Sequence, residues 1–335
     1  MYSSNTNAPG RRDILRGFAG LAGGALLPGF AGTAFAAEPL TLWGIPASPS
    51  AIFARAVELP GLQAAAPGAR FEAWRSTDQL RAGIASGSFE LFASSTYAAA
   101  NFYNRGAGTR MVNVITWGVL YIMARDESVT RIEDLAGKHV LLSNKNEAPD
   151  LLFRMVLQWA GMDPDRDLTL DYVGSPAETV PLFLSGRADV AVMHEPAATA
   201  ALMKAGQAGV PIFRALDITE VYGQHTGRGA RIPQVGLAVS EAYLDAAPDV
   251  VAAAHAACVE AGDWVRDNPG AAGEAASPAL GLPAPIIAKS LPFTHLEVQS
   301  AAEAQADIEL YFENLAAMDP GIIGGKLPDD GFYWG

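Results

Sequence analysis

Residues 111–124 constrain the fold more than any other segment. They form one long apolar run rich in Val, Ile, Trp and Tyr, far longer than a typical strand. A run of that length can leave one β-sheet and enter another, so the chain is expected to cross between two sheets near Trp117-Gly118. A second apolar run, 234–240, can carry it back. Two crossings define two lobes: the first from both ends of the chain, 37–117 and 239–335, the second from the middle, 118–238. The cleft between them is the natural place for a ligand.

On either side of the first run, short β-rich segments alternate with helical ones, the pattern of an α/β fold with doubly wound lobes. Strands are expected at 40–43, 71–74, 89–93, 138–143 and 188–193. Ser48-Pro49 opens a helix through Phe53 and Val57, and Ser76-Thr77-Asp78 opens one carrying Leu80 and Ile84. A short helix is expected at 132–135. Another, 148–160, sets Leu151, Leu152, Met155, Val156 and Trp159 on one face and stops at Gly161. Ser175-Pro176-Ala177-Glu178 reads as a capping box with proline at the first helical position, its helix ending at Gly186. A helix over 196–205 is closed by Gly206. The chain beyond 240 is mainly helical to about residue 315. The single cysteine, Cys258, lies in a helical run with His255 nearby and is expected in the core.

The N-terminus bears on compartment. Arg11-Arg12 precedes Asp13-Ile14-Leu15-Arg16, a mildly apolar stretch over 17–35, and Ala34-Phe35-Ala36, a small-x-small cleavage site. Residues 1–36 read as an export signal of the twin-arginine type. Glycines and Pro28 argue against a stable membrane anchor or core helix. No cysteine follows for lipid attachment. The whole chain carries a net charge of −13, and removing 1–36 leaves 20 basic and 35 acidic side chains, −15. Such a surface repels nucleic acid and anionic lipid. The remainder is expected to be a periplasmic monomer without membrane insertion.

Enzyme and metal constellations are missing from the sequence. Of the five histidines, none pairs at i, i+4 with an intervening glutamate, and His194-Glu195 is followed by Pro196, which breaks any such helix. There is no C-x-x-C, G-x-S-x-G or phosphate-loop pattern. Gly227-Arg228-Gly229 lacks the strand–glycine–helix setting of a dinucleotide site. The chain is therefore read as a binder, not an enzyme, with no cofactor. Four turns stand at the carboxyl ends of expected strands, where open α/β sheets place ligands. They are Pro46-Ala47-Ser48, Ser94-Ser95-Thr96-Tyr97, Asn144-Lys145-Asn146-Glu147 and Met193-His194-Glu195-Pro196. Each precedes a helix whose N–H groups can hold a polar ligand; plain helix capping is the alternative for any one of them. Of the aromatics Trp43, Tyr97, Trp117 and Tyr172, one or two are expected to face the cleft. The candidate ligand-binding set is Ser48, Ser95, Thr96, Tyr97, Trp117, Asn146, Glu147, His194 and Glu195.

Several motifs occur in a telling order: Leu135-Ala136-Gly137-Lys138-His139-Val140, Ala148-Pro149-Asp150-Leu151-Leu152-Phe153-Arg154, Gly186-Arg187-Ala188-Asp189-Val190-Ala191-Val192, Glu195-Pro196, and the tail 323–330. In this order they resemble the ABC-transporter solute-binding proteins grouped with nitrate, sulfonate, taurine and thiamine-pyrimidine-precursor binders. The resemblance implies a type II periplasmic-binding-protein fold, two lobes joined by two crossing segments. It also implies ligand loops at Ser48, Thr96, Asn146-Glu147 and Glu195, capture of a small solute by lobe closure, and an ABC permease with its ATPase as partners. A periplasmic sensor subunit and an enzyme on the same fold are the alternatives. Many sulfonate and nitrate binders carry a small polar pair where this chain has Asn146-Glu147. A carboxylate facing the cleft would repel an anion, which favours a neutral or cationic nitrogenous ligand. The other option is that Glu147 turns to solvent and pairs with Lys145.

Overall fold

The apolar run 111–124 divides at Trp117-Gly118-Val119 into two strands that belong to different sheets. The computed structural model describes residues 39–143 and 145–335; the expected signal at 1–36 lies outside the described residues. In chain order the strands are β1 (Thr41–Gly44), β2 (Arg70–Ala73), β3 (Leu91–Ser95), β4 (Thr109–Thr116), β5 (Leu120–Ala124), β6 (His139–Ser143), β7 (Thr169–Val173), β8 (Val190–His194), β9 (Phe213–Asp217), β10 (Val235–Ser240) and β11 (Leu296–Ser300). One sheet has the order β11-β4-β10-β3-β1-β2, the other β7-β6-β8-β5-β9.

The two sheets are built alike. Each holds a parallel block of three strands, β2-β1-β3 and β7-β6-β8, joined through helices. Against each block lies a strand that comes from the other lobe and runs antiparallel, β10 beside β3 and β5 beside β8. A strand delivered by a crossing enters from the opposite end of the sheet, which fixes its direction. The sheets are therefore mixed. Three edge strands, β7, β9 and β11, were not read from the sequence: each is five residues long, mostly half-buried and without an apolar run, and β11 lies in a stretch expected to be mainly helical.

The crossing at 117–119 is close-packed. A Cβ on Gly118 would lie 2.2 Å from Thr219 Oγ1, so any larger residue must displace that side chain. The return crossing lies beside it, with Ile232 N–H donating to Trp117 O at 2.7 Å and Gln234 N–H to Thr116 O at 3.0 Å.

Helix positions follow the sequence with small differences. Ala148–Trp159 buries Leu151, Leu152, Met155 and Val156, and Trp159 stacks on His225 with ring centroids 3.9 Å apart. The helix Pro176–Leu184 begins as expected, but Ser175 Oγ donates to the Glu178 carboxylate at 3.0 Å and does not cap the backbone. The next helix, Ala197–Ala208, runs past Gly206 and ends at Gly209, whose φ of 66° supplies the left-handed terminus. Cys258 is fully buried in the helix Pro248–Asp267, and burial pushes its thiol up to about 12. Among the described residues no helix is long and apolar enough to cross a membrane.

Candidate functional site

The carboxyl ends of β1, β3, β6 and β8 converge on a cavity of about 300 Å³ between the lobes. The first lobe contributes Pro46 and Ala47 after β1, Trp74 after β2, Ser95 at the end of β3 and Tyr97 after it, Tyr311 from the helix Gln305–Met318, and Gln234 and Val235 at the start of β10, which pairs in the first sheet although the sequence reading placed residues up to 238 in the second lobe. The second contributes Ala148, Pro149 and Leu152 after β6, Pro176 after β7, and His194, Glu195 and Pro196 at β8. Val119, at the crossing, also lines it. Parallel strands point their carboxyl ends the same way, so the two blocks bring their loops face to face.

Four of the nine candidate residues line this cavity: Ser95, Tyr97, His194 and Glu195. A fifth, Glu147, stands at its rim. Tyr97 Oη donates to Glu147 Oε2 at 3.2 Å, from one lobe to the other. Burial first, and the Glu147 charge second, push the Tyr97 hydroxyl well above its ordinary range, so it remains a donor. Neither option read for Glu147 from sequence describes this contact, and Lys145 instead sits over the Tyr172 ring, 5.2 Å from its centroid.

His194 closes β8, half-buried, and burial pushes its imidazole down to about 4. It is neutral at physiological pH. Glu195 lines the cavity, but its carboxylate is committed. It accepts the Thr199 N–H at 3.2 Å and is paired with the Arg214 guanidinium. Arg214 also lies 3.5 Å over the Phe293 ring of the first lobe. Burial pushes the Glu195 carboxyl up against the pull of Arg214.

The remaining candidates serve the scaffold. Ser48 Oγ meets Ser290 Oγ at 2.6 Å in a fully buried contact, and its neighbours Pro46, Ala47 and Pro49 reach the cavity in its place. The Thr96 hydroxyl donates to Pro233 O and its N–H to Gln234 O, clamping the return crossing. Trp117 is 1% exposed, its indole N–H donates to Glu297 O at 2.8 Å, and Arg231 covers its ring. Asn146 is exposed with φ 64°, and its N–H donates to Asp150 Oδ2 at 2.8 Å. Ser, Thr and Asn at strand ends satisfy backbone and neighbours as readily as a ligand, which is why their type alone misleads. Of the other aromatics, Trp43 stacks on Phe89 at 4.3 Å, and Tyr172 donates to Asp150 at 2.8 Å.

Sequence reasoning missed Gln234, Tyr311 and Trp74, and among the lining prolines Pro49, Pro149 and Pro176, while Pro46 and Pro196 stood in two of the turns it named. Gln234 is 8% exposed, and its Oε1 has no hydrogen-bond partner among the described residues. The one available signal was a polar residue opening the apolar return run. Further contacts join the lobes away from the cavity. Asp217 Oδ2 meets His295 Nε2 at 2.7 Å, and Tyr121 Oη donates to Phe293 O at 2.8 Å. Burial raises the Asp217 carboxyl, yet the bonds from His295 and Thr219 prevail and hold it below its ordinary value. Among the described residues no cluster of His, Cys, Asp and Glu is gathered as a metal ion would require.

Residues 131–279 match the family model of the NMT1-like family. No curated protein matches the chain in sequence. The structure is similar to that of an ABC transporter protein from Parabacteroides distasonis, with a TM-score of 0.75 and 19% identity over 89% of this chain and 99% of that one. It is also similar to the periplasmic aliphatic sulphonate binding protein of Escherichia coli, with a TM-score of 0.67 and 19% identity over 89% and 92%. The periplasmic nitrate-binding protein of Synechocystis gives a TM-score of 0.55 and 17% identity over 75% and 69%. The chain has the two-lobed α/β fold of the periplasmic binding proteins, as its motif order implied.

Proposed function

We propose, from a fold shared with the periplasmic binding proteins of ABC importers, that this chain is an exported solute receptor. It captures a small organic solute between its lobes and, closed, delivers it to a permease driven by an ATPase. The cavity carries this reading. Its walls come from both lobes, and the Tyr97–Glu147 contact at its rim requires the lobes to be together, so closing and enclosing are one event. Holding, without turnover, is the chemistry such a site performs. The twin-arginine pair and the Ala34-Phe35-Ala36 site support export to the periplasm.

Thermal denaturation of the protein against sulfonates, oxyanions, pyrimidines, polyamines, amino acids and aromatic amides tests the reading, because a ligand of the native state raises Tm by mass action. Small-angle scattering should then show a smaller radius of gyration with the solute that raises Tm. A solute that is chemically consumed, or no response to any class, would overturn it. Cell fractionation checks export: Arg11→Lys combined with Arg12→Lys should leave the protein in the cytoplasm.

A further inference from the structure

Five prolines line the cavity: Pro46, Pro49, Pro149, Pro176 and Pro196. Four of them stand where helical turns begin. Pro49 lies in the turn Ser48–Ser50, Pro149 and Pro176 in the first turns of Ala148–Trp159 and Pro176–Leu184, and Pro196 directly before Ala197–Ala208. A helix start ordinarily offers free N–H groups to an anion. Proline has none, so at each of these positions a donor is replaced by ring methylenes. Among the described residues no lysine or arginine lines the cavity, and the neighbouring Arg214 is already paired with Glu195. His194 is neutral at physiological pH, as burial dictates. An oxyanion entering these walls would shed its hydration and meet no countercharge.

Gln234 supplies the contrasting polar feature. Its main chain is fixed on both sides, the N–H donating to Thr116 O and the carbonyl accepting from Thr96 N–H, each at 3.0 Å. The side chain is therefore presented from a rigid base, 8% exposed, lining the cavity, with Oε1 unpartnered among the described residues. A carboxamide carries an acceptor and two donors side by side, and a buried one left unpaired is unfavourable. Its complement is another amide-type edge. Around it Trp74, Leu152 and Tyr311 provide apolar and aromatic surface, in a volume of about 300 Å³ at the small end of ligand sites.

Resting on the solute-receptor reading above, we propose that the cavity selects an uncharged, largely apolar solute of ring size. An adjacent carbonyl and N–H on that solute pair with the carboxamide of Gln234. Sulfonates, nitrate and other oxyanions are excluded.

Calorimetric titration of the full chain with charge-matched probes tests this. Benzamide, nicotinamide and 2-pyridone are set against benzoate, nicotinate, benzenesulfonate and nitrate. At least one amide-type probe should bind, and every anion should bind at least tenfold more weakly. Gln234→Leu should lower the amide affinity by about tenfold, the worth of a hydrogen bond of about 1.4 kcal/mol. Melting of the unliganded variant checks that it folds, and Gln234→Met serves if it does not. Binding of benzenesulfonate or nitrate as tight as that of the amides would overturn the ligand class and leave the receptor reading standing. Amide binding indifferent to both substitutions would overturn the role of Gln234, and with it the proposal. Silence from every probe here and in the wider panel falls on the receptor reading and removes this one with it.

Discussion

Tyr97 and Glu147 lie on opposite lobes and meet at 3.2 Å, hydroxyl to carboxylate, beside the cavity that Tyr97 lines. The tyrosine belongs to the first helix after β3, and the glutamate stands directly before the helix that follows β6, its carboxylate turned to Tyr97 and not to the helix end. The bond joins the two lobes in this structure. Its partner Glu147 is exposed to solvent, which keeps its worth modest.

Tyr97→Phe should loosen closure while leaving the fold intact. Loss of one partly solvated bond is worth about 0.5–1 kcal/mol. Solute release measured by stopped flow should quicken by about two- to fivefold, with Tm of the unliganded protein almost unchanged. An unaltered release rate would remove the latch role.

Glu195→Gln should act on stability more than on affinity. The carboxylate is fully buried and paired with Arg214, and removing one partner of such a pair strands the other, at a cost of about 3–5 kcal/mol. Urea denaturation should show the drop. Replacing both residues, Glu195→Gln with Arg214→Met, should recover much of it. If Glu195→Gln lowers affinity at unchanged stability, the carboxylate belongs to the ligand after all.

His194 sets a pH dependence whose sign is fixed by the direction of its shift. Burial places its folded-state value at about 4, below the ordinary 6.5, so the unfolded chain takes up the proton first. Its contribution to stability is full above 6.5, falls as the pH drops through that window, and is lost below about 4. The ring resonances of His194 in an NMR titration should show a midpoint near 4. A midpoint near 6.5 would mean that water reaches the ring freely.

Gly118→Ala should disturb the crossing between lobes. The added carbon meets Thr219 Oγ1 at 2.2 Å, an overpacking worth about 1–3 kcal/mol. Thr219→Ala in the same chain should relieve part of the loss, which a two-variant comparison by chemical denaturation would detect.

Much of the architecture was legible because it follows from local rules. The run over 111–124 is too long for one strand and too apolar to sit in solvent, and its break at Trp117-Gly118 is where the chain changes sheets. The motif order from Leu135 to Pro196 pointed to the same two-lobed fold. The cavity was less legible, because it depends on residues that come together only in three dimensions. Gln234 and Tyr311 lie far from the strand-end turns and carry no motif. Ser48 and Thr96 have the residue types of a binding loop, yet their hydroxyls are spent on Ser290 and Pro233. Nothing in their spacing distinguishes the two uses. The prolines were visible, but read singly four of the five are ordinary helix starts; only their convergence on one space gives them a common consequence.

The two crossing segments run side by side, tied by Ile232 to Trp117 and Gln234 to Thr116. A pair of laced strands bends like a book's spine, and points on the spine scarcely travel while the covers swing. Gln234 is printed at the spine, held there by Thr116 and Thr96. If the lobes part about this line, the carboxamide stays in place for the arriving solute. Recognition then precedes closing, and a solute that fails to satisfy Gln234 leaves before the covers meet.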